Sequence, residues 1–202
     1  MPRPSMREHL IEAAFDRFHE HGFNGSGIKD ITDAAGTPKG SFYNHFDSKE
    51  SMAVEVMSRY ARGRQMRMLA DTSTSAVDRV RAHFEFMSKD LEQHDYARGC
   101  LFGNFGAELS TQSPVIREEV ARRLAGWESL LVAALGEAQE AGALASDADT
   151  ALLARFLVSA WEGAALRAKI TRNGTPIDDF FAVLNSLLQD AAPADGADTQ
   201  NA

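Results

Sequence analysis

The chain of 202 residues has a single cysteine, Cys100, no hydrophobic run of membrane-spanning length and no surplus of positive charge. One thiol forms no internal disulfide. With no leader-like apolar stretch either, the expected setting is the reducing cytoplasm, without a membrane partner. Zinc spacing of Cys and His is missing as well, since His9, His19, His21 and His45 scatter through the first quarter of the chain. No glycine-rich phosphate loop, nucleophile-base constellation or paired-acid signature occurs. No metal, cofactor or enzymatic activity is therefore expected.

The missing positive charge needs closer reading. Lys and Arg number 21 against 29 Asp and Glu, for a net charge of −8, and residues 1–50 alone carry −2. No bulk basic field draws this protein to nucleic acid, so any DNA contact must come from local placement. Such a place exists. Lys39, His45 and Lys49 fall close together, and Asp47 is the only acid between residues 34 and 49. The acidic remainder limits non-specific phosphate binding. At 44% hydrophobic content the chain can bury a real core, in one or two domains.

Helical patterning runs nearly throughout, which predicts an all-α fold of about nine helices. Ser5 and Glu8 have the spacing of a capping box, and Leu10, Ala14 and Phe18 then repeat on one face until Gly22 ends the helix. Residues 26–50 place two short helix signatures around one glycine. A helix from near Ile28 should end at Gly36, whose missing Cβ suits a left-handed helix end. Thr37 is then expected to cap the next helix, with Pro38 in its first position. Two helices joined so tightly cross steeply and expose the second, as a helix-turn-helix does.

On that exposed helix Lys39 can reach a base edge or a phosphate, and Ser41 and Tyr43 offer hydroxyls. Gly40 lies where alanine would be more stable by about 1 kcal/mol. It implies either close approach to a duplex or relief of packing against the first helix. Phe42 and Phe46 are expected to face inward. Tyr43 and His45 are expected to face outward toward phosphates, although His45 reads also as a surface histidine without a role. Ser26 can cap the second helix, touch a phosphate, or both. Lys29 and Lys49 complete the predicted DNA-facing set of Ser26, Lys29, Thr37, Pro38, Lys39, Gly40, Ser41, Tyr43, His45 and Lys49.

From Met6 to Tyr60 the chain resembles the tetracycline-repressor family of bacterial transcription regulators. The resemblance runs through Ala13-Ala14, Phe18, Gly22-Phe23, Ile31, Ala34-Ala35-Gly36, Lys39-Gly40-Ser41-Phe42-Tyr43, His45-Phe46 and Lys49-Glu50. The family usually has Thr or Ser near Gly27 and Val at Thr37, so those two positions depart from it. The resemblance implies an N-terminal helix-turn-helix domain, residues 1–47, and a helical effector-binding and dimerisation domain, residues 48–190. A disordered tail is expected at 191–202, where Ala, Asp and Pro dominate. The stretch Arg98-Gly99-Cys100-Leu101-Phe102-Gly103-Asn104-Phe105-Gly106-Ala107-Glu108-Leu109, taken with Pro38-Lys39-Gly40-Ser41-Phe42-Tyr43, is similar to the branch holding N-ethylmaleimide-responsive and acrylate-responsive repressors. In the electrophile-sensing members a cysteine at the position matching Cys100 is the sensor.

Asp47 with Glu50 is expected to cap a fourth helix running to about Leu69. Ser75 with Asp78 should open another, a short one should follow Cys100 to Leu109, and Pro114 should start a long one ending near Gly142. Two more are expected, over about 148–170 and 176–189. They carry more apolar residues than single amphipathic helices need, so Leu153, Phe156, Leu157, Ala160, Ala164, Phe181, Leu184 and Leu188 are predicted to form a homodimer interface. Burial within one subunit is the alternative for any of them. An effector pocket is expected among Met57, Phe84, Met87, Phe102, Trp127 and Trp161, each of which reads also as core. Asn104 can orient a polar ligand or cap a kink between Gly103 and Gly106. Cys100, at a helix start and near Arg98, reads either as a reactive thiol or as a small buried hydrophobe.

These features predict a homodimeric repressor that binds a near-palindromic operator in double-stranded DNA and is released by a small-molecule or electrophile effector. Two alternatives stand beside it: an all-helical ligand-binding or enzymatic protein, and a repressor with inert Cys100 and a reversible pocket ligand.

Overall fold

Helix-start chemistry sets the architecture. The structure, a computed structural model, describes residues 5–188, and its described residues form nine α-helices and no strand. These are α1 (Met6–His21), α2 (Ile28–Ala34), α3 (Gly40–Tyr43), α4 (Lys49–Gly63), α5 (Ala76–Gln93), α6 (Leu101–Leu109), α7 (Pro114–Glu140), α8 (Thr150–Thr171) and α9 (Thr175–Leu187). The predicted last-helix end at Gln189 and the tail beyond it lie outside the described residues.

The Ser5–Glu8 capping box is present, with the Ser5 N–H donating to Glu8 Oε2 at 2.7 Å. Ser75 caps α5, and Pro114 sits in the first turn of α7. Two local expectations fail. Ser48, not Asp47, caps α4 by accepting the Ser51 N–H at 3.0 Å, while Glu50 turns away to accept the Ser113 hydroxyl. The same helix stops at Gly63 instead of Leu69. Arg64 keeps right-handed backbone and donates its N–H to the Tyr60 carbonyl at 3.2 Å while its side chain pairs with Asp90 at 2.9 Å and lies 4.3 Å above the Tyr60 ring; the helical path ends at Gln65, which is left-handed.

Two hydrophobic cores result. One joins α1–α4 to α6 and the start of α7 through Phe18, Ile31, Phe42, Met52, Phe105 and Ile116. The other is built on α5, α7, α8 and α9 around Phe84, Trp127, Leu131, Trp161 and Leu184. Burying each such side chain contributes roughly 1.5–3 kcal/mol. The first core crosses residue 47, so α6 is welded to the helices in front of it.

Two buried histidines make this packing sensitive to acid. His19 and His83 have pKa values lowered to about 4, chiefly because burial disfavours the imidazolium. The folded state then binds fewer protons than the unfolded chain. Stability is complete above pH 6.5 and falls as pH drops toward 4, by about 3 kcal/mol per histidine at the low end. Urea unfolding across that window should show the loss, and His83→Leu should remove about half of its slope.

Candidate DNA-reading and effector sites

The exposed reading face starts at Pro38. A tight turn, with the Ser41 N–H donating to the Pro38 carbonyl at 2.8 Å, leads into α3. Phe42 is fully buried and Phe46 nearly so, 5.6 Å apart between ring centroids, and they tie this short helix to the core. That anchoring turns Pro38, Lys39, Gly40 and Tyr43 to solvent, with Ser41 and His45 partly exposed. Gly40 separates its two readings cleanly. A Cβ built there meets nothing within 4 Å, so packing inside this chain does not require the glycine.

Four members of the predicted set sit differently. Ser26 is fully buried, and its hydroxyl donates to the carbonyls of Gly22 (2.7 Å) and Arg17 (3.0 Å), closing the turn after α1. It does not cap α2, and its side chain is closed off from solvent. Gly27 occupies the cap, its N–H donating to Asp30 Oδ2 at 2.9 Å. Thr37 is buried and donates to the Pro38 carbonyl at 3.4 Å instead of capping α3. Lys49 turns inward: its ammonium donates to the carbonyls of Phe23 (2.8 Å) and Ser26 (3.0 Å) and lies 4.1 Å over the Phe23 ring. Lys29 stays exposed but is paired with Asp33 at 2.5 Å.

The same α1–α2 loop is gripped from the opposite side by α6. Glu108 accepts the N–H groups of Phe23 at 2.8 Å and Asn24 at 2.6 Å, across some 85 residues of sequence. Gly22 permits this approach, since its φ is +72° and a Cβ there would lie 2.8 Å from Glu108 Oε2. Arg98 adds a second tie from the body to α1 through Asp16 at 3.2 Å.

At the other end of α6, Cys100 is the residue before the first turn, as the sequence predicts. Burial and the neighbouring Glu162 push its pKa far above the ordinary cysteine value, and Arg98 is engaged by Asp16. The Tyr60 hydroxyl donates to Cys100 Sγ at 3.6 Å. Asn104 is no kink cap: its Nδ2 donates to the Arg98 carbonyl at 2.9 Å, and its Oδ1 accepts from Lys169 Nζ at 3.3 Å.

A cavity of about 240 Å³ opens between α6 and α8 against Cys100, Asn104 and Glu162. None of Met57, Phe84, Met87, Phe102, Trp127 and Trp161 lines it. Met57 and Phe102 pack in the first core and the other four in the second, all at most 3% exposed, because apolar side chains with close partners pack shut. Sequence reasoning missed Tyr60, Glu108 and Glu162. Only Glu162 left a signal, as the sole acid within α8.

Residues 10–56 match the family described as bacterial regulatory proteins, tetR family, and residues 76–184 match the tetracyclin repressor-like C-terminal domain. The chain belongs to the tetracycline-repressor family. It is 40% identical to the HTH-type transcriptional repressor DhaR of Mycobacterium sp. strain GP1, over 93% of this chain and 94% of that protein. The HTH-type transcriptional repressor NemR of Escherichia coli K12 is 30% identical over 93% and 95%. A crystal structure of regulatory protein TetR from Rhodobacter sphaeroides superposes with a TM-score of 0.84 at 29% identity, over 91% of this chain and 98% of that one.

In this family member the residues of the last two helices divide between the two readings of the sequence. Leu157, Leu184 and Leu188 are buried in the protomer's own core, and Ala164 is nearly so, because α8 and α9 pack on α5 and α7. Leu153, Ala160 and Phe181 are half-buried. The apolar side chains facing outward on these helices are Leu152, Phe156, Leu166, Ile170 and Val183, among which Phe156 belongs to the predicted interface. No helix among the described residues is long and apolar enough to cross a membrane.

Gly40→Ala should stabilise the fold by up to about 1 kcal/mol in denaturant titrations, since the added methyl meets no neighbour. Glu108→Ala should lower stability by about 1–3 kcal/mol and speed hydrogen exchange at Phe23 and Asn24, whose amides lose their acceptor.

Proposed function

We propose that this chain is a homodimeric transcriptional repressor, without enzymatic activity, that acts in the cytoplasm on a near-palindromic operator. The observation that carries the reading is the Pro38–Tyr43 face, exposed while Phe42 beneath it is locked into the core. Lys39, Ser41, Tyr43 and His45 supply the contacts, and open space beside Gly40 admits the duplex backbone. Residues 1–47 act as the reader and 48–190 as the body.

One module of this size reads only a few base pairs, so two must act about 34–36 Å apart on successive major-groove faces. The groove between α8 and α9 supports such pairing. Phe156, Ala160 and Val183 form its sides, and Leu157, Ala164 and Leu184 form its floor. A second copy of the same two helices closes it into a four-helix interface.

Cys100 and Asn104 border the effector site. The protonated, hydrogen-bonded thiol favours a reversible small ligand over covalent electrophile capture. Two elements carry the response to the reader. One is α4, continuous from Lys49 to Tyr60, and the other is α6, with the cavity at its start and the Glu108 clamp at its end. A ligand moves this balance only by preferring one state, and a 100-fold loss of operator affinity corresponds to about 2.7 kcal/mol.

Binding to the DNA flanking its own gene tests the reading. Wild type should bind sequence-selectively with a shallow salt dependence, Lys39→Ala and Gly40→Ala should weaken binding about tenfold or more, and unchanged affinity in both would contradict the reading. Cys100→Ser should bind operator like wild type before and after treatment with a maleimide. Release confined to wild type would instead mark the thiol as the sensor.

A further inference from the structure

The cavity between α6 and α8 lacks an outer wall. Its rim is made by Ala107 on α6 and by Gly163 and Leu166 on α8, all three exposed, so nothing in the described chain covers them. Small ligands are held with about 70–90% or more of their surface buried, in sites of roughly 300–1,000 Å³. This cavity has about 240 Å³ and an open side, so a ligand seated in it needs a wall from elsewhere.

Helix α8 carries the footprint of such a wall. Leu152, Phe156, Ser159, Gly163, Leu166 and Ile170 are all exposed and follow one another at intervals of 4, 3, 4, 3 and 4 residues. That alternation tracks the helical repeat of about 3.6 residues and draws one seam along the helix, as on a face that packs against a partner helix. The four large members are 51–71% exposed, with Ile170 the most open. Leu166 and Ile170 extend the seam beyond Phe156, toward the cavity side of α8. Gly163 lines both the cavity and the groove between α8 and α9, which makes the two neighbours across one ridge. Whatever lies along this seam lies against the cavity's open side.

The charges beside the seam select the occupant. Arg155 and Arg167 on α8 are exposed, as are Asp178 and Asp179 near the start of α9, and none of the four makes an ion pair among the described residues. The pair of helices therefore offers unpaired cations on one member and unpaired anions on the other. A second copy of the same pair matches both signs, since a two-fold axis sets the basic α8 of one copy beside the acidic α9 of the other.

We propose that a second copy of this chain roofs the α6–α8 cavity: pairing through α8 and α9, it covers Leu166 and Ile170 as well as the groove, so the effector site is complete only in the dimer. The inference deepens the homodimer and effector readings above and rests on both. Ligand binding and dimerisation are then linked, because a ligand held under the roof favours the dimer over the monomer.

The single thiol reports on the roof, since Cys100 lines the cavity. The full chain is labelled with methyl methanethiosulfonate, a small neutral thiol reagent, over a range of protein concentrations at fixed pH, and the dimer fraction is measured by sedimentation equilibrium. The labelling rate should fall about tenfold or more as dimer replaces monomer, because thiol reactivity follows access. Ile170 lies outside the cavity and in neither core. Ile170→Glu should weaken dimerisation about tenfold or more and label at the fast monomer rate where wild type is slow. It also supplies the monomer if wild type stays dimeric throughout. Val115→Glu, at an exposed apolar position on α7, should change neither quantity. A labelling rate that ignores the dimer fraction, or a dimer untouched by Ile170→Glu, overturns the roof. Operator binding by the same samples separates the readings: a dimer that binds operator yet labels as fast as monomer rejects the roof alone, whereas wild type that stays monomeric rejects the roof and the homodimer together.

Discussion

A carboxylate on two backbone amides ties the front of this molecule to its body. Glu108 accepts from Phe23 and Asn24, and Lys49 holds the carbonyls of the same loop from the other side. The α1–α2 loop is thus fixed from the body and from α4 at once. Its position sets where α2 begins, and α2 sets where the Gly36 turn delivers α3. A hydrogen bond to a charged group is worth about 1.5–3 kcal/mol. Two on one carboxylate are enough to hold a loop, yet remain within the few kcal/mol that a ligand supplies.

The same clamp explains how charge is distributed. A net charge of −8 looks wrong for a protein that meets DNA, yet the reading face needs only a few local groups. Lys49, which the sequence adds to those groups, serves the structure instead. In the proposed reading, the reader depends on Lys39, on hydroxyls and on backbone approach at Gly40 more than on charge. Such an interface is selective because it has little non-specific attraction to fall back on.

Much of this was legible in the residues. Capping at Ser5 and Ser75, proline at Pro114 and the Gly36 turn locate helices because each is a local rule acting within four residues. The inward Phe42 and Phe46 follow from spacing alone. Contacts between distant segments were not legible. Ser26 reads as a surface cap until the turn after α1 folds over it, and Glu108 reads as a solvated charge until α6 is laid beside a loop some 85 residues earlier. The aromatic residues offered as a pocket pack instead into two cores, since nothing in a helical period distinguishes a lining residue from a filled one. The cavity formed where small residues, Gly103, Ala107 and Gly163, face a single acid.

The central claim is that two copies of this chain present two reading faces to one duplex. Hydroxyl-radical footprinting of the DNA flanking its own gene measures that directly. The account predicts two protected patches of similar strength, about 34–36 Å apart on one face of the duplex, both weakened together by Lys39→Ala. A single patch, or protection that survives the substitution unchanged, would contradict it.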